Sequence, residues 1–247
     1  VLNNLGQAIG VNVATAGNQV SFLVPLNRVA SFVERSGDKT FDETNGRDII
    51  SQQLTANQNK VIGELIDATW ETAPFGEAVV PSEIAPQVRC WGYSDDDPDI
   101  LYSHAVTTCN SEEQIHLSGS FTTGNVAYQF NWLDSETLNT AQFYNMYSEK
   151  IAKAYADNEA GKEDVTEFVC HEGFIKAMSS SAKKVITKST FCVREYKKYR
   201  QLFDVLFFGA SVHLETQALI SHFTIAGTEK DQAMAFLRKF IESIRWN

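Results

Sequence analysis

Two stretches of the chain, residues 84–156 and 163–245, close on the same pattern: an alternating apolar strand, then at once an amphipathic helix. Without a gap, Phe130 falls on Phe223, Trp132 on Ile225, Ser135 on Thr228 and Glu136 on Glu229. Further on, Phe143 falls on Phe236, Tyr147 on Phe240 and Ile151 on Ile244, and residues four apart share one helix face. Ser135 and Thr228 stand where an N-cap or near-cap is needed. Such a pattern is satisfied by an antiparallel meander with a helix covering one face, which is an α+β architecture. A duplicated unit explains the matches, and so does the likeness of any strand-turn-helix to another.

The spacing predicts strands over 87–94, 100–108, 114–121 and 126–134 and a helix over 138–155 in the first stretch. In the second it predicts strands over 165–175, 184–196, 202–210 and 218–226 and a helix over 228–244. Each stretch carries a cysteine pair on its first two strands, Cys90 with Cys109 and Cys170 with Cys192. An even count, paired spacing and no CxxC or Cys/His cluster favour two disulfides, hence an oxidising compartment. Four buried free thiols are the alternative, since cysteine is often buried in any case. Each cross-link would add about 3 kcal/mol by loop entropy.

Upstream, residues 34–48 are charged and contain Gly37 and Gly46, which marks 37–47 as a linker. A helix follows over 48–69, with Ile50, Leu54, Val61, Leu65 and Ile66 near one stripe. Residues 70–87 contain Pro74, Pro81 and Pro86 and read as irregular.

The first 36 residues have a different character. Two alternating runs, Gln7 to Ala14 and Gln19 to Leu23, flank the turn Thr15-Ala16-Gly17-Asn18 and predict a β-hairpin. Pro25 closes the second strand, and Asn27 is placed to cap a short helix with Val29, Phe32 and Val33 on one side. In order, the stretch runs Val1-Leu2, an Asn3-Asn4-Leu5-Gly6 turn, a strand Ala8 to Ala14, a strand Val20 to Pro25 and a helix Arg28 to Val33. This resembles the end of the second barrel of bacterial trypsin-like (chymotrypsin-fold) serine peptidases. There a nucleophile motif of the type Gly-x-Ser-Gly-x-Pro precedes the apolar pair. The resemblance covers about a seventh of the chain, and it implies that the nucleophile lies before Val1, with the family's His and Asp further upstream. It also implies that Asn12, Val13 and Ala14 form one wall of the primary specificity pocket, with Ser21 in the opposite wall. Small Ala14 and Ser21 would suit a small or medium apolar substrate side chain.

The expected organisation is therefore α+β: the remnant of a chymotrypsin-fold barrel over 1–36, a linker over 37–47 and an antiparallel-sheet accessory domain over 48–247. The formal charge of −10 resides in that later domain, because residues 1–35 sum to +1. This argues against nucleic acid or an anionic membrane surface as partner, both of which need a basic face. No apolar run reaches the ~18–20 residues of a membrane span. No Asn-x-Ser/Thr sequon occurs, which leans towards a bacterial source.

The remaining constellations are weaker. Asp95, Asp96, Asp97 and Asp99 could ligate calcium, but the loop lacks the Gly and distal Glu of an EF-hand and reads as a solvated turn. Ser180-Ser181-Ala182-Lys183 fits Ser-x-x-Lys without the motifs that accompany it in penicillin-binding enzymes. His104, His116, His171, His213 and His222 lack metal-ligand spacing. Eight cations (Lys176, Lys183, Lys184, Lys188, Arg194, Lys197, Lys198, Arg200) against Glu195 suggest either an acidic partner or a solvated strand pair. No cofactor or metal is expected.

The leading expectation is the C-terminal part of an extracytoplasmic (periplasmic or secreted) serine endopeptidase with a non-catalytic accessory domain. Protein or peptide substrate would engage the barrel, and the accessory domain would meet a protein or the cell surface. The parent would act through a Ser-His-Asp triad, and this stretch by itself would be inert. The alternative is a stand-alone exported module that binds an apolar ligand or a protein. An apolar face left uncovered on residues 1–35 would favour the first.

Overall fold

The computed structural model describes every residue except 16–20, 37–44, 96, 98, 153–157, 159, 177, 180–184 and 247. The chain divides into two compact units, Val1–Ile50 and Ser51–Asn247.

In the first unit, Asn3 organises the opening turn. Its side-chain oxygen accepts the backbone N–H groups of Leu5 (3.0 Å) and Gln7 (2.9 Å), and Gly6 takes a positive φ of 73°. Strand β1 (Gly10–Thr15) then pairs antiparallel with β2 (Ser21–Pro25), from Gly10 opposite Pro25 to Thr15 opposite Ser21. The register shifts between Asn12 and Ala14, so Val13 is the extra residue of a bulge. A Cβ at Gly10 would stand 2.5 Å from the Val24 carbonyl oxygen, which only glycine avoids. Helix α1 (Leu26–Ser36) follows Pro25 directly. It starts ahead of Asn27, whose side-chain oxygen accepts the Arg28 N–H at 3.0 Å within the first turn. Ala16, Gly17 and Asn18 of the predicted turn, and most of the predicted linker, lie outside the described residues.

The second unit is α+β. Helix α2 (Gly46–Asp67) enters it, followed by β3 (Thr72–Phe75), β4 (Ala78–Pro81), β5 (Val88–Asp95), β6 (Ser103–Ser111), β7 (Ile115–Ser118), β8 (Phe121–Thr123) and β9 (Val126–Asp134). After α3 (Thr140–Ala152) come β10 (Val169–Lys176), β11 (Met178–Ser179), β12 (Ile186–Glu195), β13 (Phe203–Val212), β14 (Gln217–Thr228), α4 (Lys230–Ser243) and β15 (Arg245–Trp246). The main sheet has seven strands in the order β10-β12-β13-β14-β9-β6-β5, antiparallel throughout. Its two halves meet where β9 pairs with β14.

Alternation along these central strands divides the apolar residues between two faces. Tyr128, Phe130 and Trp132 of β9 join Phe207 and Phe223 under Phe236 and Phe240 of α4. Phe130 and Phe240 stack with centroids 5.4 Å apart. Leu133, Ala218 and Ile220, on the other face, meet Phe143 and Tyr147 of α3. The two helices thus cover opposite faces, although the strands that lead into them are neighbours. Residues 114–121 leave the main sheet and turn back as the separate β7–β8 hairpin, where the third strand of a four-stranded meander was expected. Residues 70–87 are irregular only in part: β3 pairs with β4, and β4 also with β15, in a small second sheet, while 82–87 carry no strand or helix. Pro74 lies on edge strand β3, and Pro81 is the last residue of β4, beyond the residues that pair with β15.

Helix α2 buries Leu54, Gln58, Ile62 and Leu65, a stripe one residue away from the predicted Val61. Its C-terminal carbonyls are capped from α4: the Lys239 ammonium donates to Ile66 O at 2.5 Å and to Ala68 O. Burial against these groups lowers the Lys239 pKa.

Candidate functional site

The residues that the resemblance assigns to a specificity pocket lie on the hairpin. Asn12 pairs with Leu23, Ala14 with Phe22, and Ser21 with Thr15, while Val13 occupies the bulge. The backbone therefore brings all four onto one two-stranded ribbon. Large apolar side chains on this unit are exposed, including Val11 (51%), Phe22 (54%) and Phe32 (66%).

Both cysteine pairs are bonded, Cys90 to Cys109 and Cys170 to Cys192. In each case the partners are directly opposite on neighbouring strands, with Cα atoms 4.1 and 4.0 Å apart. The bridges lie on opposite faces of the sheet. Cys109 packs in the α4-side core, whereas Cys192 follows Phe191 and precedes Val193, which belong to that core.

A buried polar cluster, absent from the sequence reading, ties β12, β13 and β14 to β8. Asp204 accepts the Tyr196 hydroxyl at 2.5 Å, the Arg194 Nε–H at 2.8 Å and the Gly227 N–H at 3.2 Å. The Tyr196 oxygen lies 3.0 Å from the Thr123 hydroxyl, which donates to Ala226 O at 3.1 Å. Arg194 also donates to Asn158 O at 3.0 Å and covers the Phe168 ring at 4.6 Å. Burial pushes the Asp204 carboxyl pKa up despite these donors, and burial beside Asp204 pushes Tyr196 well up. Gly227, at φ 77°, admits no side chain, because a Cβ would fall 2.0 Å from Thr123 Oγ1. This closed cluster braces strands and offers no opening to a substrate.

An apolar cavity of about 180 Å³ opens beside α4. Phe191 and Val193 of β12 and Phe203 and Val205 of β13 form its floor, and Ala233 and Met234 of α4 form one wall. Lys230, in the first turn of α4, is the one charged side chain of the lining among the described residues, and Met234 is exposed. A second, much smaller apolar recess of about 20 Å³ borders Ile241 and Ile244 further along the helix.

Among the described residues, three cations of 176–200 are held in separate ion pairs. Arg194 is committed to Asp204, Lys188 pairs with Glu172 at 3.3 Å, and Lys198 pairs with Asp164 at 2.9 Å. Ser180, Ser181, Ala182 and Lys183 lie outside the described residues, as do Lys184, Asp96 and Pro98. The histidines are dispersed: His104 meets Asn131 Oδ1 at 3.2 Å, His116 meets Gln114 at 3.4 Å, and His222 lies beside Phe208. His171 is exposed on β10, next to a bonded cysteine, and His213 takes a positive φ of 67°. Among the described residues, no group of three or more His, Cys, Asp or Glu could hold a metal ion.

The chain matches no protein-family model and no curated protein. No helix among the described residues is long and apolar enough to cross a membrane.

Proposed function

We propose that this chain is the C-terminal part of an extracytoplasmic trypsin-like serine endopeptidase, in which residues 1–36 close the second barrel and residues 48–247 form a non-catalytic binding domain. The exposed apolar side chains of the hairpin and α1 carry this reading. Val11, Phe22 and Phe32 are more than half exposed, and a ribbon of this composition suits an element built to be covered by further strands. In that barrel Asn12, Val13 and Ala14 line one wall of the specificity pocket and Ser21 lies in the other. The small side chains of Ala14 and Ser21 then favour a small or medium apolar residue before the scissile bond. Two disulfides support an oxidising, extracytoplasmic setting. The residues described here contribute substrate contacts and no catalytic group.

The test is to treat the native protein from its source with a fluorophosphonate that esterifies activated serines, then sequence the labelled polypeptide by mass spectrometry. Labelled protein heavier than 27.6 kDa and containing peptides of this chain is expected. Peptides of this chain found solely in an unlabelled 27.6 kDa polypeptide would sink the reading.

The second reading is a stand-alone exported module for an apolar ligand. The cavity beside α4 favours it, since its lining is apolar but for Lys230 at the rim. At about 180 Å³ it is smaller than the ~300–1,000 Å³ of sites for drug-sized molecules and suits one large side chain or a short acyl chain.

A further inference from the structure

The geometry points to a second copy of this chain as the partner of edge strand β5: we propose that two molecules join their main sheets through antiparallel β5–β5 pairing about a two-fold axis at Gly92. Strand β5 ends the seven-stranded sheet and pairs with β6 in an unbroken eight-residue register. Among the described residues no strand pairs with its far side, which presents unused ladder groups. Trp91 (54% exposed) and Tyr93 (61%) project from the strand, with Arg89 and Asp95 beyond them, also exposed. All four share one face, because they are two residues apart. On the other face stand the small residues Cys90, Gly92 and Ser94, which allow close approach.

Symmetry restricts the possible registers. In an antiparallel ladder, residues that turn their N–H and C=O outward face residues that do the same. A two-fold axis must then pass through a residue, never between two. With Gly92 on the axis, Arg89 to Asp95 pair, seven of the eight residues of β5. Arg89 then lies opposite Asp95 of the other copy, and Trp91 opposite Tyr93, each twice. Opposite charges and aromatic pairs directly across a ladder are the favourable combinations, and like charges the unfavourable one. An axis at Trp91 also pairs seven residues but puts Arg89 opposite Tyr93 and leaves Asp95 outside the ladder. The existing Arg89–Glu112 pair at 3.1 Å is exposed on both sides and is no obstacle, since such pairs contribute little.

The opposite edge is less suited to the same role. On β10 an axis at Phe174 sets Glu172 against Lys176 but takes in only residues 172–176. Longer overlaps place Glu172 against itself or against Phe174. The β5 edge thus combines the longest ladder with full charge pairing.

Sedimentation velocity of the full chain between about 1 and 300 µM tests the proposal, with circular dichroism to confirm that each variant folds. A concentration-dependent rise from 27.6 kDa towards twice that mass is expected. Arg89→Asp alone and Asp95→Arg alone should each weaken association about tenfold, because each sets like charges face to face. Mixed together, these two variants should associate as a heterodimer, because every pair is again opposite in sign. Trp91→Ser should weaken association without involving charge. A monomer throughout the range would overturn the proposal. So would association that Trp91→Ser leaves intact, or two charge variants that fail to rescue each other.

Discussion

The Tyr196 hydroxyl donates to Asp204 at 2.5 Å in the interior of the second unit, and the same carboxylate receives Arg194 at 2.8 Å. Strand β13 is thereby held to β12 by a charge pair as well as by its ladder. Removing the Tyr196 hydroxyl (Tyr196→Phe) leaves Asp204 short of one donor and should cost about 1–3 kcal/mol. Asp204→Ala strands the Arg194 guanidinium and should cost about 3–5 kcal/mol. Urea unfolding at unchanged slope measures both. If Asp204→Ala proves no worse than Tyr196→Phe, the carboxylate is not the centre of the cluster.

Gly227 and Gly119 should respond to alanine in opposite directions. At Gly227 the positive φ and the contact with Thr123 Oγ1 predict a loss of about 3 kcal/mol. At Gly119 a Cβ would meet nothing within 4 Å, and the stiffer unfolded chain should give about 0.5 kcal/mol of added stability. Thermal unfolding of the two variants side by side checks the contrast.

The two disulfides should differ in their resistance to reductant. Cys170 is exposed on edge strand β10, whereas Cys109 is fully buried and Cys90 lies 3.6 Å from the Tyr128 hydroxyl. Mild dithiothreitol followed by alkylation and peptide mapping should mark Cys170 and Cys192 first. Labelling of Cys90 and Cys109 at the same rate would contradict this.

Burial lowers the His104 pKa below 6.5, and Lys150 adds to this, against the Asn131 hydrogen bond and Asp95. The unfolded chain therefore binds the more protons in the interval between the folded value and 6.5. Stability from this residue is complete above that interval and declines as pH falls through it. His104→Gln should flatten the acid side of the melting temperature profile, and parallel profiles for the two proteins would show that His104 does not titrate this way.

Alternation and helical period made much of the second unit legible. The strand over 126–134 occupies the predicted residues, and α4 lies within the predicted 228–244, because Phe236 and Phe240 mark its inner face plainly. What escaped depends on three-dimensional company. Gln58 lies on the buried stripe of α2 because Gly124 leaves room beside it, and the stripe cannot show that to a pattern of apolar residues. Strands β3 and β4 carry prolines, and β4 takes its second neighbour, β15, from far along the chain. That α3 and α4 take opposite faces is decided by which face each inherits, and both faces of β9 and β14 are apolar. The Asp204 cluster joins residues that no local window holds together, Thr123 among them. On the hairpin, order and spacing led to the resemblance, and the structure adds the bulge at Val13 and the exposure of its neighbours.

The stacking of Phe130 on Phe240 also sets a timetable. A chain made from its N-terminus completes β9 well before α4 exists, at roughly 5–20 residues per second. For several seconds Tyr128, Phe130 and Trp132 have no cover, and sheet edges in such intermediates adhere to one another. A chain of this design depends on being kept apart from its neighbours during synthesis. Release cut short before Phe240 would leave a sticky half-sheet in place of a smaller stable protein.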